Sequence, residues 1–179
     1  MKKIIMIMFI LVLAVTVVAC DTVSVPTDEE VESAYAKALE AYQWLDLTTM
    51  PFAGEPVEQD GRFYFVVNHQ TIKTRADLEA YLQDLFSDEV TKKILSMIEF
   101  SYIDIDGKLH TLPADRGTDL YAGEETHKII KVDNSKIIYQ VTVEVLDEDL
   151  ETVIDEKVYS FNYEFVGDKW VFTNFNLVR

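Results

Sequence analysis

His69, His110 and His127 are the residues best suited to acid–base or metal chemistry, and their spacing supports neither. No two stand at the H-x-x-x-H interval that puts a pair of imidazoles on one helix face, and H-E-x-x-H does not occur. A zinc hydrolase needs three ligands and a base, and nothing in the chain marks them. The nucleophile elbow G-x-S-x-G and a glycine-rich phosphate loop are also missing. Cys20 is the single cysteine, which excludes an internal disulfide and a multi-cysteine metal site. With 32 Asp and Glu, some carboxylate pair is inevitable, so a glycosidase-like pair would carry no information. Asp104-Ile105-Asp106-Gly107 hints at a calcium loop. With Gly107 at the sixth position, however, the first and twelfth ligands would be Tyr102 and Pro113, and a hairpin turn fits better. These residues point to no catalytic group, no metal and no cofactor.

The charged and aromatic residues offer binding chemistry instead. Lys and Arg number 16 against the 32 acids, a net charge of −16, which argues against nucleic acid because phosphate binding is driven by basic side chains. Asp147, Glu148 and Asp149, followed by Glu151, Asp155 and Glu156, gather where two long strands should turn. Asp115, Asp119, Glu124 and Glu125, with Arg116 among them, occupy the irregular stretch after Pro113. Such clusters either keep the surface solvated and protect strand edges, or steer a basic protein partner and fix its docking. Phe161, Tyr163 and Phe165 share one strand face, with Trp170 and Phe172 on the next strand. They either fill a core between sheet and helices or line a pocket for a small-molecule ligand.

The elements that must position these groups follow from periodicity. The chain has 179 residues, 49% hydrophobic, with only 6 Gly and 4 Pro, which excludes a disordered tail and leaves ample apolar surface for a core. Thr27-Asp28-Glu29-Glu30 is a capping box, and Val31, Ala34, Tyr35, Ala38, Tyr42 and Leu45 recur at helical spacing, so a helix should run to about Asp46. Pro51, Gly54 and Pro56 end that pattern. Asp60-Gly61 leads through a hairpin turn into the strand 63–67. A second helix opens at Thr74-Arg75-Ala76-Asp77, and a third near Ser87. From Phe100 onward the period changes to two. Strands at 102–105 and 108–112 flank Asp106-Gly107, and strands at 129–132 and 136–146 flank Asp133-Asn134-Ser135. The strand 153–166 turns at Gly167-Asp168 into 170–177, which would pair Phe165 with Trp170 and Tyr163 with Phe172. The reading is α+β, with three N-terminal helices and a hairpin followed by a curved antiparallel sheet of about six strands. No repeat or linker divides residues 28–179, which are expected to form one domain.

The N-terminus carries an address. Met1-Lys2-Lys3 precedes fifteen uncharged residues, Ile4 to Val18, and then Ala19, Cys20 and Asp21. That span is shorter than the roughly 20 apolar residues needed to cross a bilayer, and its order is that of a secretory signal; the competing reading is a core helix or membrane anchor. Val17-Val18-Ala19-Cys20 resembles the lipobox of bacterial lipoproteins. The resemblance implies removal of residues 1–19 and diacylglyceryl on Cys20, with 20–27 as lipidated cysteine and short tether. The protein would then sit on the outer face of the bacterial cell membrane, touching lipid through its anchor only.

The order of helix, hairpin, two helices and strands resembles the NTF2-like, cystatin-like cone, in which a curved sheet wraps a helix. A narrower resemblance rests on three stretches. These are Lys73-Thr74-Arg75-Ala76-Asp77-Leu78 with Tyr81-Leu82 and Phe86; Asp106-Gly107-Lys108-Leu109 followed by Pro113-Ala114-Asp115-Arg116-Gly117; and Gly167-Asp168-Lys169-Trp170-Val171-Phe172 with Phe175. They resemble the Gram-positive inhibitors of cell-wall DL-endopeptidases. The resemblance implies a non-enzymatic acidic protein whose partner is a cell-wall peptidase of the NlpC/P60 type, with its cleft blocked by the loop 113–125 and the acidic hairpin. Arg116 stands where the resemblance implies a second glycine.

Overall fold

The computed structural model describes residues 24–178. Residues 1–19, expected to be a signal segment, and Cys20 lie outside the described residues. Three helices and eight strands follow one another as α1 (Asp28–Asp46), β1 (Phe52–Gln59), β2 (Arg62–Val67), α2 (Arg75–Leu85), α3 (Asp88–Met97), β3 (Tyr102–Ile105), β4 (Lys108–Thr111), β5 (Ala122–Lys131), β6 (Lys136–Leu146), β7 (Val153–Val166) and β8 (Lys169–Phe172). Among the described residues no helix is long and apolar enough to cross a membrane.

The helix starts are set by side-chain caps. Thr27 and Glu30 form the expected capping box of α1, and Thr74 and Asp77 form that of α2, each satisfying two amides that the first turn leaves without partners. Ser87 caps α3. Arg75 then joins three elements. Its backbone amide donates to Asp104 Oδ1 (2.8 Å), and its guanidinium donates to the carbonyls of Leu95 (2.9 Å), Ile98 (3.4 Å) and Tyr102 (2.8 Å). The start of α2 is thereby tied to the end of α3, a terminus that has no basic residue of its own.

The expected single curved sheet is not what forms. The strands divide into two four-stranded antiparallel sheets, β1-β2-β4-β3 and β5-β6-β7-β8. The hairpin β3–β4, the first of the strand pairs after α3, leaves the others and joins β1–β2 through Phe65 opposite Thr111 and Val66 opposite His110. Its turn is tight because Asp106 and Gly107 both take left-handed φ, 50° and 72°, as a two-residue hairpin loop demands. β8 is shorter than the expected 170–177. After Phe172 the side chain of Asn174 takes over the strand's role, accepting from Asn162 N (2.6 Å) and donating to Ser160 O (2.8 Å), and the ladder stops.

The helices pack against both sheets around a continuous cluster of buried residues. Val31, Tyr35, Ala38 and Tyr42 line one face of α1. Tyr35 stacks on Tyr139 of β6 at 4.2 Å, and Tyr42 meets Phe86 and Phe175. The Tyr102 hydroxyl closes the other side, donating to Trp44 O (2.8 Å) while accepting from Met50 N (2.9 Å).

Candidate functional site

The segment 112–121 connects the two sheets and crosses the C-terminal end of α1. That end has no basic residue in its last turn, and the connecting segment supplies one. Arg116 donates its amide to Leu47 O (2.9 Å) and its Nη1 to Asp46 Oδ1 (2.8 Å), placing a cation where the helix carbonyls point. Two residues earlier, the Thr49 hydroxyl donates to Ala114 O and accepts from Ala114 N, both at 2.8 Å. Asp115 Oδ1 accepts from Gly117 N (2.9 Å), and Asp119 Oδ1 from Tyr121 N (3.0 Å), so each of these acids folds the loop locally. At its far end, Tyr121 O accepts from Leu146 N (2.8 Å). Two hollows flank the crossing. One, of about 330 Å³, is walled by Trp44, Met97, Tyr102 and Arg116; the other, of about 180 Å³, by Leu39, Gln43, Asp119 and Glu125.

The expected irregular stretch after Pro113 ends sooner than the sequence suggests, because β5 already begins at Ala122 and carries Glu124 and Glu125. Its first turn of register is bulged: Ala122 faces Val145 and Glu125 faces Val143. Gly123 sits in the bulge with no room for a side chain, since an added Cβ would lie 2.9 Å from Glu144 Cβ. Glu124 N donates to Glu144 Oε2 (3.2 Å).

The turn between β6 and β7 closes through Asp147 N to Thr152 O (2.8 Å). Asp149 organises it: Oδ1 accepts from Glu151 N (3.0 Å) and Thr152 N (2.8 Å), and Oδ2 from the Thr152 hydroxyl (2.6 Å). The Thr152 hydroxyl and amide, with the Glu151 amide, hold the Asp149 carboxyl down to about 2. β-Pairing brings Leu146 opposite Val153 and Val145 opposite Ala122, so this turn and the end of the 112–121 segment lie at the same end of the second sheet. The two acid groups, about thirty residues apart in sequence, are therefore neighbours. Segments 113–125 and 143–158 hold eleven acids and two bases, Arg116 and Lys157. Arg116 is already engaged with Asp46.

Sequence reasoning missed a second property of this end. Leu120 is 70% exposed and Ile154 59%, with Tyr121, Leu150 and Val153 also exposed. The signal was available as apolar pairs, Leu120-Tyr121 and Val153-Ile154, standing inside stretches otherwise rich in acids and turn formers. Apolar side chains ringed by charge suit a protein partner, the apolar groups giving contact area and the acids giving direction.

The aromatic face goes elsewhere. Tyr163 pairs with Phe172 and Phe165 with Trp170, as the hairpin spacing requires. Phe161 and Phe172 are fully buried and packed against Tyr35 and Phe175, with Phe161 and Phe175 stacked at 4.6 Å. Phe161 and Phe172 thus fill core, whereas Tyr163, Phe165 and Trp170 are half-buried at its margin. Tyr163 lines an open surface groove beside Ser33 and Lys37. Burial pushes the hydroxyls of Tyr35, Tyr163 and Tyr139 above the usual phenolic range, which keeps them neutral.

The three histidines stay apart. His69 Nδ1 accepts from Ile72 N (3.1 Å), His110 is buried with Nδ1 2.8 Å from Lys108 O, and His127 Nδ1 lies 3.1 Å from the Tyr139 hydroxyl. Among the described residues no group of His, Cys, Asp and Glu could hold a metal ion.

An α+β scaffold that gathers acids and exposed apolar side chains at one sheet end has the makings of a protein-binding module. The model of the IseA DL-endopeptidase inhibitor family matches residues 24–176, and the chain belongs to that family. The family is one of inhibitors, and the protein is not an enzyme. No curated protein matches the chain.

Proposed function

We propose that the protein inhibits a cell-wall peptidoglycan DL-endopeptidase of the NlpC/P60 type from a lipid anchor at Cys20 on the outer face of the bacterial membrane. The observation that carries this reading is the meeting of loop 113–125 with the 147–149 turn at one end of the second sheet, within the span that the family model matches. Asp115, Asp119, Glu124, Glu125, Asp147, Glu148 and Asp149 give that end its negative field, which attracts a basic cleft rim and orients the approach. Leu120, Tyr121 and Ile154 supply apolar surface that a partner can bury. Arg116 holds the loop in place through Asp46. The lipid anchor is supported by the lipobox-like Val17-Val18-Ala19-Cys20.

The test is hydrolysis of peptidoglycan by NlpC/P60 endopeptidases with the chain from Cys20 onward added at two salt concentrations. Stoichiometric inhibition that weakens with salt is the expected result. No inhibition at micromolar protein overturns the target, and inhibition indifferent to salt overturns the acidic end as the docking surface. Membrane retention that survives Cys20→Ser overturns the anchor.

A further inference from the structure

The described chain begins at a fixed point. Trp170 Nε1 donates to Ser24 O at 3.1 Å, which pins the N-terminal segment to β8. Trp170 faces Phe165, and the strands turn just beyond, between Val166 and Lys169. The β5–β6 turn lies beside it, since Phe165 N donates to Ser135 O (2.8 Å). The N-terminus of α1 is at the same place, where Lys131 meets Asp28 at 2.8 Å.

From this end, two elements run to the opposite one. β7 has 14 residues, and the twelve steps from Phe165 back to Val153 cover about 40 Å at the usual strand rise. α1 has 19 residues and travels about 28 Å, from Asp28 beside Lys131 to Asp46 beneath Arg116. The acidic end is thus the far end of both. Between Cys20 and Ser24 there are only three residues, so the two are at most about 14 Å apart.

We infer that the β7–β8 turn end of the protein faces the lipid bilayer and that the acidic end is presented outward, up to about 40 Å further from it. This rests on the anchor at Cys20 proposed above. The inner end is the less negative of the two, with Asp28, Glu29, Glu30, Asp133, Glu164 and Asp168 standing beside Lys131, Lys136 and Lys169. Those three lysines are paired: Lys131 on Asp28, Lys136 on Glu164 at 2.8 Å, and Lys169 on Gln83 O at 2.7 Å with Asp84 at 3.5 Å. Val132 and Val166 are exposed beside them. The outer end holds eleven acids, which an anionic headgroup layer repels.

The two tryptophans report the orientation. Trp170 is at the inner end, and Trp44 is about 24 Å along α1 from its start. The chain from Cys20 onward, which keeps every described residue, is coupled through its thiol to maleimide-headgroup lipid in phosphatidylcholine vesicles carrying dansyl-headgroup lipid. Energy transfer from tryptophan to dansyl is then compared between the parent and Trp44→Phe. Removing the distant donor should raise mean transfer per tryptophan by up to about two-fold, given that separation. Added donors at exposed turns give an independent reading: Asp168→Trp should raise the mean and Leu150→Trp should lower it. An unchanged or lower mean in Trp44→Phe, or the reverse order of the two added donors, overturns the orientation. Because the lipid link is made chemically, these outcomes do not depend on cellular lipidation of Cys20. That reading fails separately, if the protein extracted from cells lacks the diacylglyceryl mass.

Discussion

Neutralising the acidic end without unfolding its turns is the sharpest perturbation of the proposed docking surface. Charge reversal at Asp115 or Asp119 would destroy an acceptor as well as a charge, since each carboxylate receives a loop amide. Asn keeps the Oδ1 acceptor and removes only the charge. Asp149 is left alone because three donors converge on it. The variant is therefore Asp115→Asn, Asp119→Asn, Glu124→Gln, Glu125→Gln, Asp147→Asn and Glu148→Gln. Two unit charges 8 Å apart in water interact by about 0.5 kcal/mol, and screening at 0.15 M salt leaves about 0.2 kcal/mol. If each acid meets about one unit of opposite charge across the interface, the six together come to about 1.1 kcal/mol, or roughly sevenfold in association rate. At 0.01 M salt the Debye length is about 30 Å, and the same sum rises to about 2.4 kcal/mol, or roughly fiftyfold. Stopped-flow association with an NlpC/P60 domain at the two salt concentrations reads both numbers. An association rate equal to the parent's at both would refute the steering argument, provided the variant still melts as one cooperative transition.

Other expectations follow from single contacts. Arg75→Met should destabilise the protein by about 2–3 kcal/mol in urea unfolding, because the carbonyls of Leu95, Ile98 and Tyr102 lose a charged donor; a loss within error would show that water replaces it. Phe161→Ala removes a fully buried ring from the stack with Phe175 and should cost about 3–5 kcal/mol by the same measurement. Asp149 titrates at about 2 when folded, below its unfolded value, so its contribution is in place above the ordinary carboxylate range and is lost as pH falls toward 2. Thr152→Val deletes the hydroxyl that contributes most, and a carboxyl NMR titration should find Asp149 moved upward; an unmoved midpoint would assign the effect to the amides alone.

Much of the architecture was legible because it is local. The capping boxes at Thr27 and Thr74, the Asp106-Gly107 turn and the Gly167-Asp168 turn each fix their neighbours' conformation within a few residues, and the register of Phe165 with Trp170 follows directly. What escaped was long-range. Nothing in the pattern of β3 and β4 says which edge they will join, so their union with β2 through Phe65 and Val66 could not be read from periodicity. Asn174 looks like a strand interruption only once its amide is seen replacing backbone partners on Ser160 and Asn162. The acids of the candidate site were visible one by one. Their convergence depends on the bulged pairing of Ala122 with Val145, a contact across more than twenty residues. Arg75 stands in a recognisable helix-start motif, but its role in joining α2 to α3 and β3 needs three carbonyls to come together in space.

The fastening of segment 112–121 has a thermodynamic consequence for any complex it enters. Fixing one residue's backbone costs about 1–2 kcal/mol in lost conformational freedom, and a loop that orders only on contact would subtract that from affinity, residue by residue. Here Thr49, Asp46, Leu47 and Leu146 hold the loop before a partner arrives, so the loss is borne during folding by the hydrophobic core. A peptidase meets a finished shape. Cutting Arg116 from Asp46 should therefore weaken inhibition through a faster dissociation rate, with little effect on how quickly the two proteins find each other.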